Sequence, residues 1–229
     1  MTTQTAAPAR ATGNPRCRGL LAVPAVAGLA YSASWLAGLA IAPSSTSVRT
    51  TGAEVVGGYA GHQAAAVAQF VLTEGTASLA LAVVVICLGR AGLRAGGGAA
   101  ARLMVGAGAA AAAVGLVQCV LGVYLTVLVV PADHASTAAA VSDAVNRLDG
   151  VKMFLLAVMA VAGTALARQT GLLPRWLRWT GMALAVAITT SGIGYALLNN
   201  TFALAAWLSL PLLLAWVTGA GIVLGRAGR

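Results

Sequence analysis

Six long apolar runs, separated by short stretches that hold nearly every charge, constrain this chain more than any other feature. They cover about 20–42, 64–88, 103–130, 151–167, 179–198 and 202–225. A helix needs ~17–25 apolar residues to cross a hydrocarbon core of ~30 Å; each run meets that length, the fourth only just. The runs are continuous rather than alternating. That pattern points to helices and not to barrel strands, because backbone groups in lipid must bond within their own segment. Composition agrees, since only 8% of the 229 residues are charged and 59% are hydrophobic, which leaves too few charges to cover a soluble domain. The sequence thus predicts an all-α, polytopic bundle of six transmembrane helices over 20–229, after a short disordered tail at 1–19. The order of arginine and apolar run near the N-terminus could also mark a signal peptide. The first run is long enough to span, however, and reads as an uncleaved first helix.

The flanking charges orient the bundle. Arg10, Arg16 and Arg18 precede the first run, and Arg90, Arg94 and Arg102 fill the loop after the second. Arg168, Arg175 and Arg178 fill the loop after the fourth, and Arg226 and Arg229 follow the sixth. The opposite side carries only Arg49, Arg147 and Lys152, together with Glu54, Asp133, Asp143 and Asp149. The positive-inside rule places both termini and the short arginine-rich hairpins in the cytoplasm, with longer loops outside. The expected location is the cell membrane, with the bilayer as principal partner. A net charge of +9 would suggest nucleic acid in a soluble chain. Here the arginines cap apolar runs and form no phosphate-gripping cluster, so nucleic acid is not an expected partner.

Within the outside loops, 131–149 reads as a turn at Pro131 followed by a Ser136-capped amphipathic helix that leads into the fourth run. Pro174 is placed to open the fifth helix, and Asn199 and Asn200 to form the turn before the sixth. Pro211, inside the sixth, frees a backbone carbonyl. Cys87 and Cys119 read as small apolar fillers of helix interiors.

Polar groups inside lipid are costly and therefore informative. Glu74, Gln118 and Lys152 each lie sixteen residues from a flanking arginine, Arg90, Arg102 and Arg168. At 1.5 Å per residue that is about 24 Å of helix, within the outer part of the core. The same count reaches Ser34 beside Trp35, Gly194 beside Tyr195, and Leu210 beside Ser209. All six spans thus bring a polar or helix-loosening group to one level. Glu74 and Lys152 are the opposite charges there and are expected to be neighbours, with Gln118 and Tyr195 close by. The pair reads equally as a structural bridge that fixes helix register, and Lys152 could instead snorkel to the outer surface. On a wheel of 100° per residue, His62, Gln69, Thr73 and Thr76 form one stripe, with Glu74 about 120° away on another face. The stripe is either the wall of an outward-facing cavity or a set of helix–helix hydrogen bonds.

The expected site therefore comprises Glu74, Lys152 and Tyr195 as chemically active candidates, and Gln69, Thr73, Gln118 and Asp149 as substrate-binding candidates. Spans two to five enclose it, 131–149 lids it, and apolar packing at 80–88 and 103–116 closes it below. His62 and His134 read best as solvated loop residues. Metal or haem ligation between them, with Glu54 or Asp133, is the alternative. No metal site and no particular cofactor is expected from the motifs: there is no P-loop, dinucleotide fingerprint, nucleophile elbow or H-E-x-x-H.

Arg168–Met182, RQTGLLPRWLRWTGM, and the preceding Leu148–Val158, LDGVKMFLLAV, resemble segments of a family of actinobacterial six-span integral membrane proteins. The resemblance covers about 35 residues around spans four and five. It implies a six-helix fold and carries no activity or functional residue with it. Three classes of function fit. One is transport, export or immunity through binding of a small lipophilic molecule, which in a chain this small implies a homo-oligomer. The second is a membrane-embedded enzyme, an oxidoreductase or cyclase of specialised metabolism, with Glu74 as acid or base and Lys152 and Tyr195 polarising the substrate. The third is a subunit of a larger membrane complex.

Overall fold

In a computed structural model, residues 15–41 and 48–227 are described, and no strand occurs among them. The expected tail as far as residue 14, with Arg10, lies outside the described residues, as does Arg229. The helices are α1 (Pro15–Ile41), α2 (Gly52–Tyr59), α3 (Gln63–Arg94), α4 (Gly98–Val129), α5 (Ala135–Thr170), α6 (Arg175–Ala196), α7 (Asn200–Ala203) and α8 (Ala206–Ala227). Five stretches are long and apolar enough to cross a membrane: α1 from Val23, α3, α4, α5, and α7 with α8. The twenty-two residues of α6 are not among them. Arg175, Arg178 and three threonines dilute its apolar character.

Each long helix packs on its sequence neighbour, and α8 closes the circle against α1. Small residues sit at the seams, as packing between helices in lipid requires. Gly28 and Gly221 of α1 and α8 lie against the partner backbone at Thr218 and Pro24. Gly108 of α4 abuts Val85 and Met159, and Gly163 of α5 abuts Trp216. The Ser32 and Thr218 hydroxyls, 2.7 Å apart, join α1 to α8, and Thr218 also donates to the Gly28 carbonyl. The arginine-rich half of the bundle is filled by Val84, Val85, Leu88, Met104, Met159, Leu166, Leu177, Leu184 and Trp216, all essentially without solvent contact.

The hairpin 168–178 shows why its sequence turns as it does. Gly171 ends α5 in the left-handed region at φ 68°, where a Cβ would be strained, and Pro174 occupies the cap position of α6. Thr170 donates to the Leu166 carbonyl, while Leu173 and Leu177 are buried in the core.

One local reading changes. Ser136 is not the cap of the helix after Pro131: α5 begins after His134 and makes no side-chain cap hydrogen bond. The segment 131–149 does lead into the fourth run, as expected. With no proline between Ala135 and Thr170, the helix runs unbroken for 36 residues, and the expected amphipathic segment is simply its first four turns.

Candidate functional site

Glu74 lies on α3 within a π-helical segment, Val71–Thr76, and Lys152 lies midway along α5. Lys152 Nζ donates to Glu74 Oε2 at 2.6 Å and to Asp149 Oδ1, one turn earlier on its own helix, at 2.7 Å. Glu74 and Lys152 are buried, and Asp149 is partly exposed. One ammonium thus bridges two carboxylates. Removing charges from water is costly unless they are paired, and here each charge has a partner. The pairing with Asp149 is a feature the sequence reading missed, although the i, i+3 spacing on a helix was there to see.

The group faces a cavity of about 1080 Å³. Gln69, Thr73, Gln118 and Tyr195 line the same cavity without bonding to the ionic group. Trp35, Ser209 and Leu210 line it as well, so each of α1, α3, α4, α5, α6 and α8 delivers a residue from the counted level to one space. Thr73 returns its hydroxyl to the Gln69 carbonyl at 2.9 Å. Gln118 donates through Nε2 to the Val145 carbonyl at 3.0 Å, which leaves its buried Oε1 without a partner. Thr76 bonds to the Leu72 carbonyl at 2.8 Å and to Ser34 on α1 at 3.1 Å; it is a helix–helix contact and no part of the lining.

The enclosing elements differ from the expected set. Spans three and five contribute little beyond Gln118, Leu125, Ile188 and Tyr195. The first and sixth contribute more, with Tyr31, Trp35 and Leu39 from α1 and Trp207, Ser209 and Leu213 from α8. Tyr31 is 3% exposed and within electrostatic reach of Lys152, Glu74 and Asp149. The count from the arginines reaches Ser34 instead; the signal for Tyr31 was a tyrosine well inside an apolar run, away from its usual interfacial belt.

On α3 the lining residues fall at 62, 65, 66, 69, 70, 73, 74, 77, 78 and 81, a spacing of four. An ideal α-helix would turn residue 81 about 160° away from residue 65. The wide turn at Val71–Thr76 absorbs part of that drift: Thr73 meets Gly38 of α1 while Glu74 meets Gly115 of α4, and both residues line the cavity. The stripe of Gln69 and Thr73 and the separate face of Glu74 thus meet different neighbouring helices and border one space. Such single wide turns recur at functional sites.

No lining residue lies nearer the arginine-rich end of α3 than Leu81, and Ala111, Leu156 and Leu213 line the cavity from the neighbouring helices. Toward the acidic end the cavity meets Arg49, Thr50, Glu54, Tyr59, His62 and Asn146. At this end 48–59 borders the cavity together with Ser142, Val145, Asn146 and Asp149 of the expected 131–149 segment. Val48 is tied by its N–H to Asn200 Oδ1 at 2.8 Å and by its carbonyl to Asn146 Nδ2 at 3.0 Å. α2 starts with a reciprocal cap, in which Thr51 Oγ1 accepts from the Glu54 N–H and Glu54 Oε2 accepts from the Thr51 N–H. Those hydrogen bonds, from the backbone N–H and then the hydroxyl of Thr51, hold the Glu54 carboxyl below its ordinary range. Burial pushes the Tyr59 phenol up. Val55 packs into Leu125, Val129, Val130 and Ala138, and Gly52 sits so close to the Ala135 carbonyl that no Cβ would fit.

His62 stands at the rim of the cavity, whereas His134 precedes α5 outside it. Among the described residues no group of three or more His, Cys, Asp and Glu is placed to hold a metal ion. No family model, curated protein or solved structure matches the chain.

Proposed function

We propose that this chain is a six-span protein of the cell membrane, with both termini cytoplasmic, whose cavity opens to the outside and binds a small lipophilic molecule for transport, export or immunity. One observation carries the reading. Residues counted to the same depth on six separate helices converge on one cavity, large enough for a drug-sized molecule, with aromatic walls and a buried ionic group. In this reading α6 is the fifth of the six spans, its arginines lying at the cytoplasmic surface, and Trp176 and Trp179 in the interfacial belt. The hairpin residues from Thr170 to Leu177 support membership in the actinobacterial six-span family, which we propose with the same fold.

Catalysis is the weaker reading for a specific reason. Lys152 already donates to two carboxylates, so it is poorly placed to polarise a substrate as well.

The test is energy transfer from tryptophan to N-phenyl-1-naphthylamine, a neutral apolar fluorophore, with protein in phosphatidylcholine nanodiscs. Trp35 and Trp207 line the cavity. The expected result is a saturable signal that falls in the W35F/W207F double variant and in Ser78→Phe, which fills the space. A signal that rises linearly with dye and is unchanged in both variants overturns the reading.

A further inference from the structure

Resting on the reading of the cavity as a ligand site, we propose that its ligand is a lipophilic primary amine, bound as the cation with its N–H groups toward Glu74, Asp149 and Gln118. The argument is an inventory of what the cavity leaves unsatisfied. Around Lys152 the formal charges are two negative and one positive, so the inner cavity carries one uncompensated negative charge. At the rim Arg49 and Glu54 carry opposite charges and leave that excess unchanged. A neutral ligand would leave the excess in place, and an anion would add to it in a setting of low dielectric. A cation removes it.

The hydrogen-bonding inventory gives the same sign independently. Gln118 is 1% exposed and lines the cavity. Its Nε2 must face the Val145 carbonyl, which can only accept, so the orphaned atom is the acceptor Oε1. A buried acceptor without a partner costs ~1–3 kcal/mol, and only a donor relieves it. Glu74 and Asp149 bond Lys152 through Oε2 and Oδ1 alone, so the second oxygen of each is also an acceptor without a recorded bond among the described residues. Lys152 keeps a third N–H and the Tyr31 and Tyr195 hydroxyls line the cavity, but none of them makes a hydrogen bond to Gln118 Oε1 or to the second carboxylate oxygens. The ligand must therefore bring N–H groups as well as positive charge, which a primary ammonium does and a quaternary one does not. The rest of the wall suits an apolar body: Tyr31, Trp35, Leu39, Phe70 and Trp207 surround the remaining space, and aromatic faces favour a cation nearby.

Four probes of one shape separate the possibilities: 1-aminoadamantane, its N-trimethyl derivative, 1-adamantanol and 1-adamantanecarboxylate, each titrated onto full-length protein in phosphatidylcholine nanodiscs by calorimetry. The primary amine should bind at least tenfold more tightly than any other. Gln118→Leu should remove the advantage of primary over trimethylated amine, while Asp149→Asn should weaken both amines at least tenfold relative to the alcohol. Size-exclusion profiles establish that each variant is folded, and the partly exposed Asp149 keeps the test independent of any failure of Glu74→Gln to fold. If the alcohol or carboxylate binds as tightly as the amine, the ligand class is wrong and the cavity reading survives. If no probe binds and the naphthylamine signal is also absent, the cavity reading falls with it.

Discussion

Lys152 on α5 and Glu74 on α3, 78 residues apart in sequence, meet across 2.6 Å inside the bundle. Because Lys152 also holds Asp149, the two charges are not equivalent. Glu74→Gln leaves the ammonium with one carboxylate. Lys152→Met strands two carboxylates beside each other, and removing one partner of a buried pair costs about 3–5 kcal/mol. Lys152→Met should therefore destabilise by that amount, and Glu74→Gln by less than half of it. Unfolding equilibria in micelles measure both, and equal losses would show that Asp149 contributes nothing to the arrangement.

Much of this site was legible in the sequence, because a charge in an apolar run has few ways to be satisfied. Counting helical rise from the arginines brought Glu74, Gln118, Lys152 and the neighbourhoods of Trp35, Tyr195 and Ser209 to one level, and these residues do line one space. What escaped depends on geometry without a compositional mark. The π-helical turn at Val71–Thr76 has no proline or glycine pair to announce it, and residues on both sides of it line the cavity. The continuity of α5 through Asp149 was legible, since an amphipathic helix was expected to lead into the fourth run, but its start at Ala135 without a serine cap was not. The place of 48–59 beside the cavity depends on Gly52 reaching the Ala135 carbonyl and on Asn146 reaching Val48, contacts between segments distant in sequence.

Topology can be read by cysteine labelling in a background without Cys17, Cys87 and Cys119. Gly57, with open space around it, and the exposed Ala140 lie at the acidic end. Ala95, also exposed, lies in the arginine-rich hairpin. Cysteines at 57 and 140 should react with a membrane-impermeant maleimide on intact cells, and one at 95 only after permeabilisation. The reverse pattern inverts the orientation.

Trp216 is wholly buried, and its indole Nε1 has no hydrogen-bond partner. Phenylalanine removes the unsatisfied donor while keeping most of the volume, so Trp216→Phe should cost less than about 1.5 kcal/mol. Trp216→Ala opens a cavity against Gly163 and Gly181 and should cost about 3–5 kcal/mol. Thermal unfolding of the two variants side by side decides this. A Phe variant as damaged as the Ala variant would mean that the indole N–H has a partner after all.

The cap of α2 should respond to acid. The Glu54 carboxyl is held below its ordinary range by hydrogen bonds from Thr51 that exist only in the folded state. A depressed folded value means a stabilisation that is complete above the ordinary carboxylate range and lost as pH falls through the folded value. Hydrogen exchange at Val55 and Val56, corrected for intrinsic rates, should therefore accelerate between neutral pH and pH 3. In Thr51→Val, which keeps the backbone N–H but loses the hydroxyl, exchange should already be faster at neutral pH and change less with acid. Parallel pH profiles for the two proteins would remove the cap from the account.

The wide turn in α3 makes the most discriminating prediction, because it changes which residues share a face. In a straight α-helix the faces of Ala65, Gln69 and Thr73 would rotate away from those of Ala77 and Leu81 by about 40° for every four residues. With the π-helical segment at Val71–Thr76, all five line the cavity. Single cysteines at 65, 69, 73, 77 and 81 should therefore all be protected from a small thiol reagent by a bound cavity ligand, whereas cysteines at the wholly buried Val84 and Val85 should not react at all. Deleting Leu72 should convert the segment to ordinary α-helix and turn one half of α3 against the other by about 100°. Protection would then survive on only one side of the deletion, and the contact between Glu74 and Lys152 would persist only if Glu74 stays with the protected half. Protection at all five sites in the deletion variant would show that the turn does not set the face, and Glu74 would owe its place in the cavity to something else.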